Sequence, residues 1–324
     1  MNRIWSSFLL SAVLVFALVD TVNAIDMREE LRKGLNALNA KKGDPELCIV
    51  TDATYVRLKG KTTESYVDLI QEETGCTVGR ANLLFFHRPM DYPLKVAIFR
   101  RATDECVIIS YDGKENQCKK YNLGLKAVAK PEFWIDLSPP LGPDTFTVVS
   151  LANAWAAGVP HDLLKSAEFH GHFCPAIAAG HLIAQYAVKK YPLKKGESYT
   201  WIASPPWCKD DAIQVLLHLT PGKKSLYAKG MTPSQKKQLT FENPAGILLI
   251  SGEDKTKTKA VVFSFDWPKV RQENKLKMAL EMIAYLERPE ELVKVVKEVL
   301  APPAVIEELT TAETNPYKWL GLIK

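Results

Sequence analysis

The stretch from Glu168 to Pro175 holds two imidazoles, His170 and His172, and one thiol, Cys174. Imidazole and thiolate are the ligand types that zinc and other borderline-soft metals prefer. Pro175 suits the first position of a helix, where its missing N–H would be unpaired anyway. Cys174 then stands at the N-cap, where free backbone N–H groups and the helix dipole favour a thiolate. A second thiol, Cys208, lies in Trp207-Cys208-Lys209-Asp210-Asp211, again at the start of a helical pattern. The expectation is that these two helix starts form two sides of one site. His170, His172, Cys174 and Cys208 are its candidate ligands, for Zn or another transition metal. In extended backbone His170 and His172 point the same way, because side chains repeat every two residues. His181, two helical turns beyond Cys174, is a ligand, an orienting group behind the ligands, or a solvent-facing histidine.

Other chemistries fit the same residues. A Cys174–Cys208 disulfide would leave the histidines as bystanders. A thiol/disulfide redox pair is open, because a thiolate at a helix start is a good leaving group. A carrier of a planar metallo-cofactor such as haem is open too, with His or Cys as axial ligand and Trp201 and Trp207 as flat walls. No C-x-x-C-H run exists, so such a haem would not be attached covalently in the c-type manner. Asp210 and Asp211 read as helix N-terminal acids. Thr220-Pro221-Gly222-Lys223-Lys224 lacks the full phosphate-loop pattern and reads as a turn. No general base or nucleophile stands out beyond the ligands, so the residues leave enzymatic activity open.

Residues 1–24 read as a signal peptide, with Arg3 in the n-region, an apolar run from Phe8 to Val19, and Val22-Asn23-Ala24 before the cleavage point. The mature chain is then exported, to the periplasm, with no other stretch apolar enough to span a membrane. Composition is that of a globular protein, 47% hydrophobic and 24% charged. The net charge of +5 is mild and the basic residues are scattered, which argues against nucleic acid as a partner. Six cysteines lie in the mature part. Cys106 and Cys118 flank an Asp112-Gly113 turn, which suggests a cross-strand disulfide.

The elements that must carry the site are repeated. Tyr66–Leu83 can be laid over Lys209–Leu226 without a gap, so that Asp68 meets Asp211 at an offset of 143 residues. Asp, Ile-Gln, Thr-x-Gly and Leu coincide, and each segment follows a helix and an extended run. Because Asp211 recurs as Asp68, a structural role is expected for it. Strand-like runs follow each copy: Val96–Arg100 and Val107–Ser110, then Ile247–Ser251 and Ala260–Phe265. The fold class is therefore α+β, with two tandem helix-strand-helix-meander units and C-terminal helices. The first unit spans 25–130 and lacks the His/Cys set, with Ser65 standing where Cys208 would be. A Pro-rich linker without regular structure follows over 131–150, and the second unit with the site occupies 151–324. Short helices are expected over Val149–Ala157 and His161–Phe169. Apolar spacing predicts tail helices over Arg271–Leu286 and Glu290–Leu300, and a short one near Ile306.

His170-Gly171-His172-x-Cys174-Pro175, Gly180, Cys208-x-x-Asp211-Ala212-Ile213-Gln214 and Thr220-x-Gly222-Lys223 together resemble the FmdE-like family of formylmethanofuran dehydrogenase proteins over roughly residues 160–265. The first unit matches only the second half of the pattern. The resemblance implies an α+β core, an intertwined dimer and a bound metal. The chain departs from the family pattern at Ala176, where a Gly stands, and at Leu219, where a Cys stands that the first unit keeps as Cys76. It has no C-x-x-C tail, so the zinc-finger roles of relatives do not transfer. If the family works as a homodimer, the tandem chain is a fused pseudo-dimer, monomeric in solution, with one site lost and Cys76 approaching the survivor. The other possibility is a homodimer of the whole chain.

Overall fold

The computed structural model describes residues 27–112, 116–252, 258–268, 274–311 and 314–323. The expected signal peptide lies outside these residues. The chain divides into two compact units, one ending at Gly158 and one starting at Val159.

The first unit opens with α1 (27–37), whose Met27, Leu31 and Leu35 are buried at helical spacing. Each such side chain contributes roughly 1.5–3 kcal/mol on burial. They pack on a sheet built from β1 (Leu47–Thr51), β4 (Leu83–Phe85), β5 (Leu94–Arg100), β6 (Glu105–Tyr111) and β7 (Asn116–Asn122), in the order β4-β1-β5-β6-β7. A two-stranded ribbon of β2 (Arg57–Leu58) and β3 (Lys61–Thr62) precedes α2 (Ser65–Thr74). Three helices close the unit: α3 (Leu125–Val128), α4 (Pro131–Leu141) and α5 (Thr145–Ala156).

The second unit starts with α6 (His161–His170), α7 (Pro175–Lys190), β8 (Ser198–Ala203) and α8 (Cys208–Leu216). It continues through β9 (Leu226–Ala228), α9 (Pro233–Lys237), β10 (Pro244–Ser251), β11 (Thr258–Phe265), α10 (Lys275–Glu281), β12 (Val293–Ala301), α11 (Pro303–Thr310) and α12 (Pro316–Trp319). Its sheet order is β12-β11-β10-β8-β9.

Read from the edge formed by the short parallel strand, the two sheets have one topology. β4 pairs parallel with β1 as β9 does with β8, and three antiparallel strands follow in each. The local chemistry repeats too. The Thr77 side chain accepts from Arg80 N, and that of Thr220 from Lys223 N. Each short turn ends on a left-handed residue, Ala81 (φ 55°) or Lys224 (φ 54°). Cys76 is buried in the first unit's own core, its thiol donating to Leu47 O at 3.7 Å. Leu219 fills the matching place in the second unit.

Four expectations are corrected. The 131–150 stretch is not irregular: it holds α4 and the start of α5. Pro131 takes the first position of α4 and Pro139 and Pro140 fall in its last turn, so few backbone bonds are lost. Glu290–Leu300 is not helical. Val293, Val295, Val296 and Val299 are stiff β-branched residues, and they form β12 along β11. Of the helix expected over Arg271–Leu286, residues 271–273 lie outside the described residues, and the rest is α10 followed by a 3-10 turn over Met282–Tyr285 rather than one continuous helix. Cys106 and Cys118 do not meet across the hairpin. Cys106 opposes Tyr121 and Cys118 opposes Ile109, so the three-residue displacement puts the thiols on opposite sheet faces. Both are free.

Candidate metal site

The α6 helix ends because Gly171 turns left-handed (φ 90°), its N–H bonding Glu168 O. That stop leaves His170 on the last helical turn and sends the chain through His172 to Cys174. Phe173, fully buried, pins this short link. Cys174 is the N-cap of α7 and Pro175 its first residue, as the sequence suggests. The histidines are not neighbours along an extended strand: the helix end folds them together, with ring centroids 4.4 Å apart. One nitrogen of each imidazole and the Cys174 sulfur lie within 4.8 Å of one another.

Cys208 approaches from α8 and interacts electrostatically with Cys174 and His170, but its sulfur lies outside the set of three donors that are all within 4.8 Å of one another. Two features set its position. Gly180 on α7 lets the helices approach, since a Cβ there would land on the Lys209 carbonyl oxygen and 2.8 Å from Ala212 Cβ. Asp210 fixes the start of α8 by accepting from Trp207 N at 2.7 Å, while Asp210 N donates to Trp207 O at 3.0 Å. The Asp210 carboxylate also takes the Trp201 indole N–H at 2.6 Å and the Lys209 ammonium at 2.7 Å. This buried ion pair is thus fully hydrogen-bonded, as its burial requires.

The four groups share their protons unequally. The hydrogen bond from Cys174, then that from His170, lowers the Cys208 thiol to about 4. Cys174 moves the other way, raised by its bond to Cys208 and by burial. The easily ionised sulfur is therefore Cys208, not the N-cap Cys174 that the helix dipole alone singles out. Burial works against a charge on His170, but hydrogen bonds to Asp211 and Cys208 outweigh it and raise its pKa to about 9. Burial, then the charge of His170, lowers that of His172.

Asp211 is the functional residue that sequence reasoning missed. Its Oδ2 lies 2.7 Å from Nδ1 of His170, while Nε2 is buried without a well-directed hydrogen-bond partner. Its counterpart Asp68 is exposed in a unit with no histidine nearby in sequence, so the recurrence misled. Its spacing of three residues from Cys208, on one helix face, was the available signal. His181 is not solvent-facing: it is fully buried and bonds Asp162 Oδ2 through Nε2 at 3.0 Å. Trp201 is also enclosed, so it forms no open wall for a planar ligand; Trp207 stays 38% exposed.

The donors suit a metal. A carboxylate on the far nitrogen of a ligating histidine is the usual way of fixing its tautomer. The buried Nε2 of His170, without a well-directed hydrogen bond, is the nitrogen this arrangement leaves for a ligand. Residues 169–305 match the family described as FmdE, Molybdenum formylmethanofuran dehydrogenase operon. This segment of the second unit is therefore similar to FmdE. The match begins at Phe169 and takes in His170, His172, Cys174, Cys208 and Asp211. The matched segment also includes every strand of the second sheet and the first residues of α11. No curated protein matches the chain. Among the described residues no helix is long and apolar enough to cross a membrane.

Proposed function

We propose that the FmdE-like segment binds one transition-metal ion through His170, His172, Cys174 and Cys208, with zinc as the ion that a His2Cys2 set suits best. The reading rests on one observation: Nδ1 of His170 is held by Asp211, which leaves Nε2, buried and without a well-directed hydrogen bond, as the nitrogen to meet a metal with His172 and Cys174. Asp211 would orient the ring and make it a better donor. Cys208 enters as a thiolate, and Cys174 and His170 each give up a proton to bind. If a coordination position stays open, the ion supplies Lewis acidity to a small ligand there. We read the chain as exported, on its N-terminal segment, and the first unit as a copy of the same fold that has lost the donors, Ser65 standing for Cys208.

A second reading is a thiol/disulfide redox pair, favoured by the interaction between the Cys174 and Cys208 thiols that drives their pKa values apart. One sample separates the two. Protein purified without added metal is analysed for metals, and its thiols are counted before and after chelation. About one equivalent of metal, lost in Cys174→Ser and Cys208→Ser, supports the site. No metal together with two missing thiols overturns it in favour of the redox pair.

A further inference from the structure

Beside the metal-site residues, but separate from them, a cavity of about 570 Å3 is lined by Trp207, Phe241, Pro205, Pro244, Lys236 and Lys237 among others. We propose that it binds a small planar aromatic acid, the ring against Trp207 and the carboxylate on the lysines. Its volume falls in the range of small-molecule sites, roughly 300–1,000 Å3.

Both aromatic walls are held in place. Trp207 stacks on Trp267 with the rings 10° apart, yet keeps 38% of its surface exposed. Phe241 is set edge-on against the buried Tyr317, centroids 5.4 Å apart. Pro205 and Pro244 add rigid surface without backbone donors. Such walls stack a flat ring at little entropic cost.

The charge on this lining favours an anion. Lys236 and Lys237 have no ion-pair partner among the described residues, and Glu242 is the one acid among the residues that line the cavity. Two ammonium groups near apolar walls complement a carboxylate attached to a ring. Because Trp207 directly precedes Cys208, the ligand would share a wall with the metal-site residues. The proposal does not require a metal to be bound.

The test uses the full chain and two probes, 2-naphthoate and its neutral amide, followed by tryptophan fluorescence and calorimetry. Naphthoate should bind saturably at one equivalent, with the amide about tenfold weaker. The double variant Lys236→Glu/Lys237→Glu, altered only at exposed residues, should lose about tenfold in naphthoate affinity and keep its metal content. Trp207→Leu should lose a similar factor. Absence of saturable binding up to roughly millimolar probe, or equal affinity in the double variant, overturns the proposal. Metal loss in Cys208→Ser with unchanged naphthoate affinity supports two separate sites, so the cavity and the metal reading fail independently.

Discussion

Nδ1 of His170 and Oδ2 of Asp211 are 2.7 Å apart, joining the end of α6 to the first turn of α8. This bond decides which imidazole nitrogen is left for a ligand. Asp211→Asn should weaken metal binding by about 10–100-fold, with little change in fold. Competition against a chromophoric chelator reads the affinity directly. An affinity equal to wild type would show that the carboxylate does not orient the ring.

Metal binding should release about two protons near pH 7. Cys174 is protonated there and His170, raised to about 9, is charged. Both must lose a proton to bind, whereas Cys208, lowered to about 4, has already done so. Calorimetry in buffers of different ionisation enthalpy counts the protons. Release of none would mean that the metal uses other groups.

The metal-free domain should show a defined pH dependence. Cys208 has its pKa lowered from 9.0 to about 4, so its stabilisation is present above 9.0 and lost as pH falls through 4. His170 is raised from 6.5 to about 9, so its share is present below 6.5 and lost as pH rises through 9. The two oppose between about 6.5 and 9, leaving Cys208 alone on the acid side. Asp52 in the first unit, pushed up to about 6 by burial, works in the other direction. The quantity to read is therefore the melting temperature of wild type minus that of Cys208→Ser. It should grow from pH 4.5 to about 6.5; a flat difference would count against the thiolate.

Gly180→Ala forces a methyl group onto the Lys209 carbonyl. Overpacking of this kind costs about 1–3 kcal/mol. Urea unfolding should show that loss, and metal affinity should fall as well, because α7 and α8 carry Cys174 and Cys208. Unchanged stability would mean that the helices part without penalty.

Much of this was legible because it is local chemistry. The turn at Thr220–Lys224, the repeated Thr-x-Gly and the helix starts at Cys174 and Cys208 are written in neighbouring residues. Strands β1, β5, β6, β8, β10 and β11 were also readable from their apolar runs. What was missed depends on partners distant in sequence. Asp211 looked structural because its contact is on another helix. The separation of Cys106 from Cys118 follows from hairpin register. Trp201 reads as a wall from its neighbours alone, but burial and the Asp210 bond make it part of the core. The α4 helix was hidden by prolines that its ends accommodate.

The outer position of β12 has a consequence for association between molecules. An open strand edge invites another chain to pair with it, and a valine-rich one is especially prone to do so. Here Lys294, Lys297 and Glu298 interrupt the valines, and the register shift where β11 passes from Val262 to Phe263 adds local irregularity. The charges that gave this segment a helix-like spacing are thus the ones that discourage intermolecular sheet growth. Replacing them with threonine would keep the strand and remove its protection against aggregation.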